Sequence, residues 1–199
     1  MPRPSWRAGV LVAALGWTAP SLARSSEDTR QQPAPEFDSR GITVRSGLSV
    51  YTGHLGDTLD LGTFLGVDAE AQVLPLLGLQ LGYEGSVNDV KDVHQARLWR
   101  HSLAAMATVG PTLGGQWKPF LGAGIGASYL DGTPPANQRQ LDTTFVAEVP
   151  LSAGLDYRYN GVTAGARATY RLLIGGDLAP GDAGDGDLVT VGLSLGARF

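Results

Sequence analysis

Residues 187–199 read DLVTVGLSLGARF, and their period decides the fold. Val189, Val191, Leu193, Leu195, Ala197 and Phe199 fall on one face of an extended chain, and Thr190, Gly192, Ser194, Gly196 and Arg198 on the other. Strict alternation marks a strand whose two faces meet different surroundings. The last residues of a soluble domain are usually frayed. Here the stretch closes on an aromatic ring, so Phe199 is expected to be held in the structure.

The same period recurs in seven earlier stretches, at 42–52, 64–74, 77–86, 99–111, 118–130, 144–157 and 162–172. One face of each is apolar, such as Ile42, Val44, Leu48 and Val50 in the first. The opposite faces carry small residues and charges: Arg45, Asp68, Glu70, Glu84, Glu148, Arg167 and Arg171. A tilted strand crosses a bilayer in about ten residues. The connections alternate between short ones, around 75–76, 112–117 and 158–161, and long polar ones at 53–63, 87–98, 131–143 and 173–187. This predicts an all-β chain, an eight-stranded antiparallel up-and-down transmembrane β-barrel, with both ends of the barrel segment on the short-turn side.

A soluble barrel hides its apolar face inside, and alternation alone does not separate the two cases. The aromatics point to lipid. Tyr51, Phe64, Tyr83, Trp99, Tyr129, Phe145 and Tyr170 fall toward the long connections, and Trp117, Phe120, Tyr157, Tyr159 and Phe199 toward the short ones, with none expected mid-strand. Two belts flanking an aliphatic band suit the two headgroup interfaces. A charge facing lipid at mid-depth costs about 2–4 kcal/mol, so the charged face belongs inside. Arg167 is expected at mid-height beside Asp68, within reach of Glu84 and Glu148, with Arg45, Glu70, Asp156 and Arg198 lower. Eight strands leave room only for side chains, which predicts a plugged lumen.

The closing VTVGLSLGARF resembles the sorting signal that outer-membrane barrels present to the insertion machinery, carried here by Val191, Leu193, Leu195 and Phe199. LPLLGLQLGYEG (74–85) and KPFLGAGIGASY (118–129) resemble strand regions of the small OmpA-like, OmpX-like outer-membrane β-barrel family. The resemblance covers about residues 41–199. It implies a Gram-negative bacterial outer membrane, contact with lipid and lipopolysaccharide, assembly by the barrel machinery, and loops open to an extracellular ligand. It leaves no room for the periplasmic peptidoglycan-binding domain of larger members.

The rest of the sequence agrees with an envelope protein. Residues 1–23 carry Arg3 and Arg7, then the apolar AGVLVAALGW and Ser21-Leu22-Ala23, the layout of a secretory signal peptide. Residues 24–40 are polar with two prolines and read as a flexible lead-in to the barrel at 41–199. With a net charge of −4 and no cysteine, the chain offers no case for nucleic-acid binding and excludes thiolate metal sites.

Chemistry is sparse. Gly122, Gly124 and Gly126 repeat every second residue, so they line one strand face and form no dinucleotide loop. His54, His94 and His101 all fall near the long connections without a nucleophile or paired carboxylate at a fixed spacing. Asp177, Asp182, Asp185 and Asp187 lack the spacing of a calcium loop. The expectation is a structural or interaction barrel with no enzymatic activity and no cofactor. A narrow or OmpW-like passage for small or hydrophobic solutes and a lipid-modifying enzyme are the alternatives.

Overall fold

A computed structural model describes residues 40–92, 96–133, 144–174 and 186–199. The signal-peptide and lead-in readings, apart from Arg40, and the residues His94, Asp177, Asp182 and Asp185 lie outside the described residues.

Eight strands follow one another around a closed barrel. They are β1 Arg40–Tyr51, β2 Gly62–Gln72, β3 Leu77–Asp89, β4 Arg97–Val109, β5 Trp117–Gly132, β6 Thr144–Tyr159, β7 Val162–Ile174 and β8 Leu188–Arg198, with a short helix α1, Gly53–Thr58, between β1 and β2. Every neighbouring pair is antiparallel, including β1 with β8, where Val44 faces Leu195. The strands start and stop within a few residues of the alternating stretches. Most run longer toward the long connections, because a strand can leave the membrane and keep its ladder.

Phe199 is held, as its position suggested. Its amide donates to the Arg40 carbonyl at 2.9 Å, and the Arg40 amide donates back to the Phe199 carbonyl at 3.0 Å. The seam between first and last strand is therefore paired to its end. At the β6–β7 turn, Asn160 (φ 47°) and Gly161 (φ 78°) supply the two left-handed residues of a tight hairpin.

The outward face is mainly apolar along every strand. Ile125 is 73% exposed and Leu193 71%, and Val44, Val67, Leu81, Leu103, Leu151 and Val191 are all outward and exposed. The charges are inside: Asp68, Glu84, Arg100 and Glu148 are buried. A water-soluble protein does not expose so continuous an apolar girdle. This is the arrangement of a membrane barrel, and it excludes the soluble-barrel alternative.

The aromatic expectation needs two corrections. Tyr83 is the middle residue of β3, so one ring does fall mid-strand. Tyr51, Phe64 and Phe120 are buried inside the barrel and belong to no outer belt. Parity explains them: Phe64 shares its face with Asp68, and Phe120 with Lys118. The Phe64 ring fills space left by glycines on two other strands. A methyl group at Gly192 or Gly47 would stand 2.6 Å or 2.9 Å from it.

Candidate functional site

The lumen holds the concentrated chemistry, and it is layered. At the long-connection end the inward residues turn apolar. Tyr51, Leu98, Leu130, Val146 and Leu188 end their strands pointing inward and pack with Leu55 and Leu59 from the first connection. Leu59 bridges to Val90. Gly186 lies so close to Leu55 that a methyl group there would meet its side chain at 2.5 Å. The interior is thus not polar throughout, as the alternation suggested: an apolar cap lies at this end. The six residues GHLGDT of α1 have no helical amphipathic pattern of their own, and their order comes from burying Leu55.

Beneath the cap lies an ionic layer of three arginines and three carboxylates. Arg45 forms a forked pair with Asp68 through Nε and Nη2 and donates from Nη1 to Glu84 Oε2 at 3.2 Å. Arg100 donates from Nη1 to Glu84 Oε1 at 3.0 Å, from Nη2 to Glu148 Oε2 at 2.6 Å, and from Nε to Ser128 Oγ at 2.9 Å. Arg171 reaches Glu84 Oε2 at 3.0 Å and Glu148 Oε1 at 3.4 Å. The Ser102 and Ser128 hydroxyls each donate to Glu148 at 2.5 Å. Buried carboxylates that are both paired and hydrogen-bonded meet the condition under which ions persist in a low-dielectric interior.

The sheet register explains this grouping. Arg45 faces Gly66, Gly66 faces Glu84, and Glu84 faces Ser102. Gly66 puts no side chain between them, so Arg45 reaches across one strand to Glu84. That corrects the expected heights. Arg45 belongs to the central layer with Asp68. Arg167 stands 3.9 Å from Asp68, donates to Gln80 Oε1 at 2.8 Å and lies over the Phe120 ring at 4.7 Å. Glu70 lies apart from the layer, beside Gln72, Lys118, Arg158 and Arg198. Lys118 donates there to Gln72 Oε1 at 2.6 Å.

Sequence reasoning missed Arg100, one of the largest fully buried side chains. Its signal was present, since it lies two residues before the inward Ser102 and so on the same face. The space left in the ionic layer is about 10 Å³, and about the same remains around Glu70 and Lys118. Each has room for about one water. A larger recess of about 220 Å³ lies at the loop end, edged by Tyr51, Gly56, Asp60 and Lys91.

The other candidates disperse. His101 points outward while Ser102 points inward to Glu148, so they form no nucleophile–base pair. His54 sits on α1, where its carbonyl accepts from Thr58. Asp187 accepts from the Tyr170 hydroxyl and from the Leu173 amide at 3.3 Å, so it serves the β7–β8 junction. Among the described residues no cluster of three or more His, Asp or Glu is placed to hold a metal. Val191, Leu193 and Leu195 form an outward row on β8 that ends at Phe199, which is 75% exposed.

The sequence matches the family described as outer membrane protein beta-barrel domain over residues 10–199. No curated protein matches the chain. Among solved structures, Neisserial surface protein A is similar with a TM-score of 0.63 at 13% identity, over 80% of this chain and 97% of that one. Ail, the attachment invasion locus protein of Yersinia pestis, is similar with a TM-score of 0.58 at 13% identity, over 81% and 99%. The N-terminal β-barrel domain of Pseudomonas aeruginosa OprF gives 0.50 at 14% identity, over 80% and 97%.

Proposed function

The chain belongs to the outer membrane β-barrel family and resides in a bacterial outer membrane, and from that premise we propose that it is a structural and interaction barrel with a closed lumen, presenting its long connections to the outside. The observation that carries this reading is the stack inside the barrel. An apolar cap lies over a hydrogen-bonded layer of Arg45, Arg100, Arg171, Asp68, Glu84 and Glu148, with about 10 Å³ left open in that layer.

A solute passing through would have to separate buried ion pairs, and leaving one such charge unpaired costs about 3–5 kcal/mol. A layer of this kind stiffens the barrel and fixes the positions of the strand ends from which the connections project. The outward row Val191, Leu193, Leu195 and Phe199 serves assembly: it offers the insertion machinery an apolar edge before β8 closes on β1.

Single-channel recording in planar bilayers tests the closed lumen. The barrel is expected to give no stable openings; regular conductance steps from the unaltered protein would favour the passage for small solutes. Alanine at His54, His94 and His101 with profiling of the membrane's lipid A tests the enzyme alternative. The profile is expected to stay unchanged.

A further inference from the structure

The outward face carries a polar pair within its aromatic and aliphatic surface. Tyr83 on β3 and His101 on β4 both point outward. The Tyr83 hydroxyl lies 2.7 Å from His101 Nδ1, and the rings stack with centroids 6.2 Å apart and 23° between their planes. His101 faces Gly85 on one side and Tyr129 on the other. Tyr129 packs against Phe145 at 5.0 Å. A methyl group at Gly85 would come no nearer than 3.9 Å to His101 Nδ1 or the Tyr83 hydroxyl, so bare backbone forms an open notch beside the pair. With Nδ1 engaged by the Tyr83 hydroxyl, Nε2 is the ring's remaining polar atom.

The depth of this notch follows from β5. Trp117 and Tyr129 lie on that strand, and Trp117 packs on Tyr157 at 4.8 Å near the short-turn end. Their separation of twelve residues corresponds to about 30 Å along the barrel axis at ~3.3 Å per residue and ~40° tilt, against an apolar band about 25 Å tall. Tyr129, and with it His101, therefore stands at the outer boundary of the hydrocarbon, where headgroups begin. An imidazole against acyl chains would leave Nε2 unsatisfied, whereas at this level a headgroup meets it. Tyr83 fixes the ring through Nδ1 and turns Nε2 away from itself. With Nδ1 accepting from the Tyr83 hydroxyl, the ring carries its proton on Nε2, and Nε2–H donates to an anionic oxygen, the stronger kind of hydrogen bond. The Tyr129–Phe145 pair offers a flat apolar platform beside it. Arg97, paired with Asp89 at 3.0 Å, and Asp131, opposite Trp99, both stand nearer the rim.

We propose that the notch of Tyr83, Gly85, His101 and Tyr129 binds one phosphorylated glycolipid of the outer leaflet. The lipid phosphate accepts from His101 Nε2–H, and a sugar ring lies against Tyr129 and Phe145. The proposal rests on the lipid-facing reading of this surface and is independent of whether the lumen conducts.

Native mass spectrometry of the full chain in detergent tests it, with lipid A, dephosphorylated lipid A and phosphatidylglycerol as probes. The unaltered protein is expected to retain lipid A about tenfold better than His101→Leu, as the loss of one charge-assisted hydrogen bond implies. Tyr83→Phe, which removes only a hydroxyl, should fall between them. Dephosphorylated lipid A should be retained no better by the unaltered protein than lipid A is by His101→Leu. Folded gel mobility of each variant shows that intact barrels are compared, and Tyr83→Phe carries the test should His101→Leu not fold. Equal retention of lipid A by all three proteins, indifference to the phosphate, or equal retention of phosphatidylglycerol would overturn the assignment.

Discussion

Replacing Arg100 with methionine tests whether the ionic layer holds the barrel together. Methionine keeps an unbranched side chain of similar reach, so packing changes little. Lost are the donations to Glu84 at 3.0 Å, to Glu148 at 2.6 Å and to Ser128 at 2.9 Å. Hydrogen bonds to charged groups contribute about 1.5–3 kcal/mol each, and the layer is left with two arginines facing three carboxylates. Glu84 keeps Arg45 and Arg171, and Glu148 keeps Arg171 and two serine hydroxyls, so neither is orphaned. The net loss should be about 3–5 kcal/mol, the range for breaking a buried pair. Urea unfolding in lipid vesicles, followed by tryptophan fluorescence from Trp99 and Trp117, reads this as a midpoint about 1–2 M lower if the slope is near 3 kcal/mol/M. Adding Glu148→Gln restores two positive to two negative charges. The double variant should then lose at least about 1 kcal/mol less than the two single losses together. An Arg100→Met midpoint at the parent value, with additive losses in the cycle, would show that the layer contributes nothing to stability.

Two further substitutions separate the cap from the lipid face. Leu55→Ala removes the centre of the apolar cap and should lower unfolding stability by about 2–3 kcal/mol, while bilayer recordings should stay silent, since on the proposed reading the ionic layer beneath closes the lumen by itself. Leu193→Arg places a charge on the outward face of β8 and should cost about 2–4 kcal/mol in the same vesicle assay, since a mid-depth arginine faces hydrocarbon.

Much of this was legible in residue alternation. The period-two runs located all eight strands, and Asn160-Gly161 marks a hairpin on its own. The interior was less legible. Which inward charges meet depends on ladder register, and only the pairing Arg45–Gly66–Glu84 shows that an absent side chain lets two distant residues touch. Arg100 was hidden because its stretch, LWRHSL, mixes Trp99 and His101 on the outward face with Leu98 and Arg100 on the inward one. The cap escaped for a similar reason: near the loop end the inward positions switch from polar to apolar, and Leu98, Leu130 and Val146 then look like breaks in the pattern. Phe64 and Phe120 were legible by parity, but their proximity to strand ends suggested a belt.

The central claim is that the aliphatic face touches lipid and the charged face lines the lumen. The chain has no cysteine, so single cysteines at Ile125 and at successive positions 191–196 can each carry a nitroxide label in vesicles. Power saturation then compares collisions with oxygen and with a water-soluble nickel complex. Labels at 125, 191, 193 and 195 should favour oxygen strongly, and those at 192, 194 and 196 should collide with neither freely. Nickel access at 125 and 193 matching that of a label in water would contradict the account.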